Sequence, residues 1–231
     1  MKREIIITAD GSSTIHLPEW DEQYHSKHGA IQEAYHVFIK HGLQHYNSLH
    51  GNPKPVLEPQ QPINILEIGF GTGLNSFITL LEGNTLKLNI NYVGVEAYPI
   101  SKAEINALNY IKTLDAESKK ERFNTLHHVS WEEAHQIKED FTLTKRKQFF
   151  SEIKDVNTFN IIYFDAFGAR VQPELWTETI FKIMYNALKS KGVLVTYSAK
   201  GSVRRAMQAV GFTVERLPGP PGKREMLRAT K

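Results

Sequence analysis

The sequence predicts an α/β protein built on a doubly wound, mainly parallel sheet. From residue 62 onward, short runs rich in Ile, Val, Phe and Tyr alternate with longer segments of helical periodicity. Repeated strand–helix–strand units give a parallel sheet with helices on both faces. A glycine-rich loop directly after the first run is the second observation, because such loops often hold a ligand at the carboxyl edge of the sheet.

The first 61 residues are predicted to form a small extension that packs on a main domain of residues 62–231. EIIITADGSSTIHLP is typical of a hairpin, because two β-prone runs flank the turn pair Asp10-Gly11. A helix is expected next, since the apolar residues of GAIQEAYHVFIKHGLQHYNSL recur at helical spacing. HGNPKPVLEPQQP holds four prolines and predicts an extended linker.

The segments from residue 62 onward are predicted to alternate between strands and helices. Strands are expected, in order, in INILEIG, INYVGVEA, RFNTLHHV, FNIIYFDAF, VLVTYSA and FTVERLP. Helices are expected in LNSFITLLEG, around residues 100–113, from Trp131 onward, in PELWTETIFKIMYNALKSKG and in GSVRRAMQAVG. Glycine favours helix ends, so two of these helices are expected to stop at Gly83 and before Gly192.

Composition excludes several classes of protein. The chain has 231 residues, of which 41% are hydrophobic and 23% charged, as in an ordinary globular domain with room for an extension. The absence of cysteine excludes disulfides, thiolate nucleophiles and cysteine-bound zinc or iron–sulfur centres. The start resembles no signal peptide, and no apolar run approaches the ~20 residues that span a bilayer. We therefore expect a cytoplasmic protein.

The loop in ILEIGFGTGLN, residues 65–75, suggests a nucleotide-type cofactor. Gly69, Gly71 and Gly73 follow an apolar strand that contains Glu67, so backbone N–H groups and a helix start can approach a ligand. The spacing is G-x-G-x-G, whereas dinucleotide loops have G-x-G-x-x-G and phosphate loops end in lysine. A pyrophosphate or triphosphate is therefore not the favoured ligand, and a nicotinamide dehydrogenase is the least expected function.

The pattern E-x-G-x-G-x-G resembles motif I of S-adenosylmethionine-dependent methyltransferases. That cofactor carries a sulfonium and an ammonium but no phosphate, so nearby carboxylates favour its cationic end. Glu96, at the end of the next strand, could accept hydrogen bonds from both ribose hydroxyls. A plain tight turn and a solvated strand end are the alternative. The candidate cofactor-binding residues are Glu67, Gly69, Phe70, Gly71, Thr72, Gly73, Asn75, Glu96 and Asp165.

Asp165 is the candidate catalytic residue. It ends the apolar strand IIYFDAF, where a charge is costly without a partner. In folds with this motif the position faces the methyl group of the cofactor. A turn or helix-capping acid is the alternative interpretation.

The motifs together resemble the methyltransferase half of the MnmC family of tRNA wobble-uridine enzymes, which also occurs as stand-alone proteins. The resemblance is carried by WDEQYHSKHGAIQEAYHVFI, LEIGFGTGLN, YFDAF followed by QPELW, GVLVTYSAKGSVRRAMQAVGF and LPGPPGKREML, of which the last two are the most specific. It implies a Rossmann-like methyltransferase fold. It also implies methyl transfer from S-adenosylmethionine to the 5-aminomethyl group of a wobble uridine of the 5-aminomethyl-2-thiouridine type.

Two departures from the family pattern affect these expectations. Gly168 stands in DAFGARVQP where the family commonly has a proline, which leaves the shape of that loop open. Because the sequence ends at Lys231, we expect the flavin-dependent oxidase half to be absent and another enzyme to supply the free amine.

The implied chemistry needs a neutral amine. A primary alkylamine has a pKa of ~10.4, and its protonated nitrogen cannot attack a sulfonium. We expect Asp165 to accept and orient the amine hydrogens. Tyr24, His25, Glu33 and His36 could cover the cofactor or the base, and a histidine could relay a proton. A packed helix with satisfied histidines is an equal alternative.

A basic C-terminal region predicts contact with tRNA. The net charge is +3, and cations concentrate between residues 200 and 228. Stacking on an unpaired base is open to Phe167, Trp176 and Tyr197. The candidate RNA-binding residues, expected on phosphates of the anticodon stem–loop, are Lys200, Arg204, Arg205, Lys223 and Arg224. Ordinary solvated surface charges are the alternative for each of these cations, and a core position is the alternative for Trp176.

Other functions remain open at this point. The same fold could serve a small-molecule N-methyltransferase, an aminopropyltransferase that uses decarboxylated S-adenosylmethionine, or a non-catalytic cofactor- or RNA-binding module. His41 and His45 stand four residues apart, but the sequence offers no third ligand near them, so no metal site is expected.

Overall fold

The computed structural model describes residues 2–50 and 61–231. Most of the proline-rich linker therefore lies outside the described residues. Strands β1 (Glu4–Ile7), β2 (Ser13–Leu17) and β3 (Glu22–Gln23) form a small antiparallel sheet. β1 and β2 pair across the turn at Gly11, whose φ is 83°. The predicted hairpin is confirmed.

A continuous helical segment follows the small sheet. Helix α1 (Ala30–Ala34) leads through a π-helical stretch (Tyr35–Gln44) into α2 (His45–His50). Phe38 and Leu43 belong to the same apolar cluster as the central strands. A Cβ on Gly42 would lie 3.0 Å from the ring of Tyr163, so the segment packs closely on the sheet. The division between residues 1–61 and 62–231 stays a prediction.

The main sheet has eight strands in the order β10-β11-β9-β8-β4-β5-β7-β6. The five central strands, from β9 to β7, run parallel, and both outer ends of the sheet are antiparallel. The predicted doubly wound α/β class is confirmed. The strands are β4 (Ile63–Ile68), β5 (Ile90–Val95), β6 (Ala134–Lys138), β7 (Phe141–Arg146), β8 (Phe159–Phe164), β9 (Leu188–Thr196), β10 (Thr213–Pro218) and β11 (Glu225–Thr230).

Helices cover both faces of this sheet. Side chains alternate along a strand, so Ile65 packs in one apolar cluster and its neighbour Leu66 in the other. No helix in the described ranges combines the length and hydropathy needed to cross a bilayer. The helices are α3 (Leu74–Thr85), α4 (Lys102–Ala107), α5 (Tyr110–Thr113), α6 (Lys120–His128), α7 (Glu178–Ala187) and α8 (Gly201–Ala209), with single 3₁₀ turns at Glu117–Lys119, Phe150–Glu152 and Pro173–Trp176.

Several predicted elements are wrong. RFNTLHHV is not a strand but lies in α6, where Phe123 and Leu126 share the buried helical face. The helix expected from Trp131 is replaced by β6 and β7, and the buried side chains of β7 alternate with a period of two. Gly83 lies inside α3, and Gly192 lies inside β9. β11, for which no strand was predicted, pairs with both β9 and β10.

Candidate active site

The candidate site lies at the carboxyl ends of β4, β5 and β8. β4 lies between β5 and β8, and the chain winds outward from it in both directions. Ligands of open α/β sheets bind at such a point, because the loops on either side diverge and leave a crevice.

The glycine loop connects β4 to α3 in a backbone conformation that favours glycine. Gly69, Gly71 and Gly73 have φ values of 91°, 49° and 69°. A Cβ on Gly69 would lie 2.8 Å from the carbonyl oxygen of Asp165, so a side chain there would displace the neighbouring loop. The loop thus leaves bare backbone beside the end of β8.

Asn75 connects two buried carboxyl groups. Its Nδ2 donates to Oε1 of Glu67 at 2.9 Å and to Oδ2 of Asp165 at 2.8 Å. The side chain of Asp165 is only 5% exposed, and Glu67 is 1% exposed. These three predicted site residues come from β4, α3 and the end of β8 and meet at one point.

Burial changes the acidity of both carboxyl groups. Burial, followed by the charge of Glu33, raises the pKa of Asp165 to about 8. Burial, followed by the charge of Asp165, raises the pKa of Glu67 well above its ordinary value. A cation bound beside the pair would favour the ionised forms, because opposite charges attract most strongly away from water.

The same cluster has an unpaired buried oxygen. Within the described part of the chain, Oδ1 of Asn75 has no hydrogen-bond partner, whereas the carboxyl group of Glu67 is also hydrogen-bonded with the hydroxyl of Tyr92. Buried polar atoms are nearly always paired, so such an acceptor indicates a site for a ligand or water that donates hydrogen bonds. An ammonium group meets that requirement, so the cluster fits the amino-acid end of S-adenosylmethionine.

Glu96 follows β5 and borders the glycine loop, as predicted. Its Oε2 accepts from the backbone N–H of Gly71 at 3.0 Å, and its Oε1 accepts from that of Tyr98 at 2.9 Å. Each carboxylate oxygen can accept a further bond, which suits vicinal hydroxyls. Tyr98 and Phe149 stand beside it with ring centroids 6.0 Å apart and exposures of 64% and 54%. This pair was not predicted.

Phe70 and Thr72 lie in the loop but turn their side chains into the protein. Phe70 packs against Gly94, where a Cβ would clash with its ring, and edge-on against His127. Only its backbone is left for a ligand. Thr72 is buried, and its Oγ1 bonds to Nε2 of His25 at 2.7 Å and to the hydroxyl of Tyr110 at 3.0 Å.

The N-terminal segment reaches the loops around the site. Arg3 donates to the carbonyl oxygen of Tyr98, after β5. Tyr24 lies against Gly71 in the glycine loop and packs edge-on against Phe167, after β8. Tyr24 and His25 therefore stand at the site, as the sequence suggested.

The N-terminal segment also contacts the loop after β8. Arg170 donates to the carbonyl oxygens of Trp20 and Asp21. The carbonyl of Gly168 accepts from the N–H groups of Val171 and Gln172, so the loop turns without the family proline.

Glu33 and His36 contact the turn between β10 and β11. The buried carboxylate of Glu33 pairs with Nζ of Lys223, and Nε2 of His36 lies 2.8 Å from the carbonyl oxygen of Pro218. Lys223 also lies 3.7 Å above the ring of Tyr197. One of the five candidate RNA-binding cations is therefore already bound within the protein.

The other four cations differ in exposure. Lys200, Arg205 and Arg224 are exposed and form no ion pair with any described residue. Arg204 is partly buried. A surface cavity of about 420 Å³ is lined by Tyr197, Ser198, Ala199, Lys200, Lys223, Arg224 and Glu225.

The three aromatic candidates for base stacking are not equivalent. Trp176 is 5% exposed and donates from Nε1 to the carbonyl oxygen of Phe167, so it is a core residue, the alternative that the sequence left open for it, and is not placed to stack on a base. Phe167 is packed edge-on by Trp20 and Tyr24. Tyr197 donates its hydroxyl hydrogen to Ala166, next to Asp165. Among the described residues no cluster of three or more His, Asp or Glu could hold a metal.

Comparison with known proteins identifies a family that matches this chain. Residues 115–231 match a family described as S-adenosyl-L-methionine-dependent methyltransferase. The match includes Asp165 and the basic region, whereas the glycine loop lies before it. The bifunctional protein MnmC of Leptospira borgpetersenii, named for tRNA 5-methylaminomethyl-2-thiouridine biosynthesis, is 29% identical over 225 residues. That match covers 90% of this chain and 32% of the relative, so the chain spans about a third of the length of such relatives.

Solved structures agree with the fold. The crystal structure of MnmC2 from Aquifex aeolicus is 28% identical, with a TM-score of 0.76, over 99% of this chain and 70% of that one. Spermidine synthase from Thermotoga maritima is 14% identical, with a TM-score of 0.56, over 99% of this chain and 68% of that one. The second likeness concerns the fold alone.

Proposed function

Because the chain belongs to the S-adenosyl-L-methionine-dependent methyltransferases, we propose that its methyl acceptor is the 5-aminomethyl group of a wobble uridine in tRNA. The acceptor is of the 5-aminomethyl-2-thiouridine type. The observation that carries the proposal is the buried pair of Asp165 and Asn75 beside the glycine loop, which suits a cationic amine. The name of the Leptospira borgpetersenii relative supports the substrate class.

The proposed cofactor contacts follow the loop geometry. The bare backbone from Gly69 to Gly73 admits the amino-acid end of the cofactor, next to the carboxyl group of Glu67 and the unpaired Oδ1 of Asn75. Glu96 binds the ribose hydroxyls. When bound, the cofactor supplies an electrophilic methyl group that passes from sulfur to the amine nitrogen.

Asp165 prepares the amine. A carboxyl group with a pKa of about 8 is a stronger base than ordinary aspartate at ~3.9, and its proton affinity is closer to that of an amine at ~10.4. In the ionised form of Asp165, which a bound cation favours, Asn75 fixes Oδ2 and leaves Oδ1 to accept a proton from the substrate ammonium. The nitrogen lone pair freed in this way is the nucleophile, and its orientation by Asp165 lowers the entropy cost of attack.

The tRNA is proposed to bind beside Tyr197, in the cytoplasm. Lys200, Arg205 and Arg224 are exposed cations around the end of β9 and the turn before β11, where they can contact phosphates of the anticodon stem–loop. Arg204, which is partly buried, contributes a further positive charge at the edge of this surface. The cavity next to Tyr197 lies one strand away from Asp165, so a base that leaves the loop can bring its amine to the acid.

The decisive experiment follows a labelled methyl group. Purified protein is incubated with labelled S-adenosylmethionine and tRNA from a strain that lacks it, and the nucleosides are then separated. We expect label in 5-methylaminomethyl-type uridine, and no label with Asp165→Ala, which should still bind the cofactor. Label in small amines but not in tRNA would favour a small-molecule N-methyltransferase, and cofactor binding without turnover would favour a non-catalytic module. An aminopropyltransferase would instead react with decarboxylated cofactor.

A further inference from the structure

His25 is a buried histidine that the N-terminal segment places between the glycine loop and Asp165. It is 8% exposed and lies two residues after β3. Its Nε2 lies 2.7 Å from Oγ1 of Thr72, and its Nδ1 lies 3.9 Å from Oδ2 of Asp165. Its backbone N–H donates to Oγ1 of Thr14 at 3.0 Å, so both the backbone and the ring are held.

The hydrogen bonds around Thr72 favour one position for the hydrogen on the ring of His25. The hydroxyl of Tyr110 donates to Oγ1 of Thr72 at 3.0 Å. Thr72 then has its own hydroxyl hydrogen to donate, and this hydrogen is used in a bond when Nε2 of His25, 2.7 Å away, is the acceptor. A neutral imidazole with an acceptor at Nε2 carries its hydrogen on Nδ1. The chain from Tyr110 therefore ends as a donor aimed at Asp165.

We propose that His25 is a positioning residue for Asp165, held in the Nδ1–H tautomer by Thr72 so that it donates to Oδ2 when the substrate amine is bound. The inference rests on the proposed function, because Asp165 is its reacting group. Asn75 already donates to Oδ2, so a second donor there directs Oδ1 toward the amine. Hydrogen bonds at active sites are often long without ligands, and the 3.9 Å separation needs to shorten by under an ångström.

The charges that face His25 are consistent with a neutral ring. Burial, the main cause, lowers the pKa of His25 to about 4. The carboxylates of Glu33 and Asp10 act in the opposite direction, and the ammonium of Lys223 acts with burial. At neutral pH the ring therefore has one N–H and one acceptor. That is the state in which Thr72 can select a tautomer.

The proposal is tested first without any substrate. The ¹⁵N spectrum of the histidine ring is recorded at about pH 9, one unit above the pKa of Asp165, on wild type and on Thr72→Val. We expect the Nδ1–H tautomer of His25 in the wild type. The valine variant should shift toward Nε2–H, because its side chain keeps the shape but loses the donor. An Nε2–H tautomer in the wild type overturns the proposal.

The second measurement separates positioning from packing. His25→Ala should lower kcat for tRNA methylation by about 100-fold with little change in the Kd for S-adenosylmethionine, as expected for a misplaced catalytic group. His25→Asn keeps a donor near the place of Nδ1 and should recover most of that loss. Equal activity of both variants, or unchanged kcat in His25→Ala, contradicts the proposal. If even the wild type fails to methylate tRNA, the proposed function is wrong, while the tautomer result still decides the role of His25.

Discussion

Asn75 donates to Asp165 over 2.8 Å, from the first turn of α3 to the end of β8. The same nitrogen donates to Glu67 on β4. A single amide therefore connects the cofactor loop with the proposed catalytic acid.

Replacing Asn75 should affect stability and catalysis together. Asn75→Leu leaves two buried carboxyl groups without their shared donor, and an unsatisfied buried polar group costs about 1–3 kcal/mol. We expect a loss of that size in chemical denaturation near pH 8, with methylation strongly reduced. The matched control is Ser76→Ala, the next residue of α3, whose buried hydroxyl has no hydrogen-bond partner among the described residues. A larger loss in the control would show that helix packing is responsible.

Asp165→Asn should stabilise the protein at alkaline pH while it abolishes methyl transfer. The pKa of Asp165 in the folded chain, about 8, lies above the value of 3.8 for a free side chain. Its contribution to stability is therefore complete below pH 3.8 and is lost as the pH rises through 8. The asparagine variant does not ionise, so its Tm should exceed that of the wild type at pH 9 and equal it at pH 4. If the difference in Tm between the variant and the wild type is the same at pH 9 as at pH 4, the pKa of Asp165 is not raised in the folded protein.

The parts of the site that the sequence predicted are local in the chain. Gly69, Gly71 and Gly73 adjoin an apolar strand, and Asp165 ends another, so strand patterning alone brings their backbones to one edge of the sheet. The connection through Asn75, by contrast, depends on side-chain orientations that no periodicity encodes. The partnership of His25 with Thr72 also joins segments far apart in the sequence.

The predicted elements that were wrong share a physical cause. RFNTLHHV has few apolar residues, and their spacing is compatible with a strand or with a helix. The helix is favoured by the packing of Phe123 against Phe77, a contact that the local sequence does not reveal. β11 pairs with β10, its neighbour in the chain, and with β9, which is separated from it by α8 and β10, and the second pairing is not visible in its own residues. The pairing of Lys223 with Glu33 was likewise not visible in the sequence, because the two residues are far apart in the chain, and an RNA-binding role for Lys223 stays a prediction.

Lys145 should make stability rise with pH on the alkaline side. It is 2% exposed on β7, its Nζ donates to the carbonyl oxygen of His127 at 2.7 Å, and burial lowers its pKa to about 8 from 10.5. The unfolded chain binds more protons between these values, so the wild type gains stability from pH 8 to 10.5. Lys145→Met should lack this gain in Tm, whereas Lys138→Met, a partly exposed control on β6, should retain it. If the Tm of Lys145→Met rises with pH by the same amount as that of the wild type, other groups cause the effect.

Lys223 should act in folding, and Lys200 and Arg224 in RNA binding. Lys223→Met leaves the buried Glu33 carboxylate unpaired, which costs on the order of 3 kcal/mol, and adding Glu33→Gln should recover most of that loss. Lys200→Ala and Arg224→Ala should leave Tm unchanged. Each should reduce the slope of log affinity for tRNA against log salt by roughly 0.7–0.9, the value for one phosphate contact. Filter binding between low and moderate salt measures these slopes. If Lys223→Met reduces the slope of log affinity against log salt by the value for one phosphate contact and does not lower stability, the ammonium of Lys223 binds phosphate rather than Glu33 in solution.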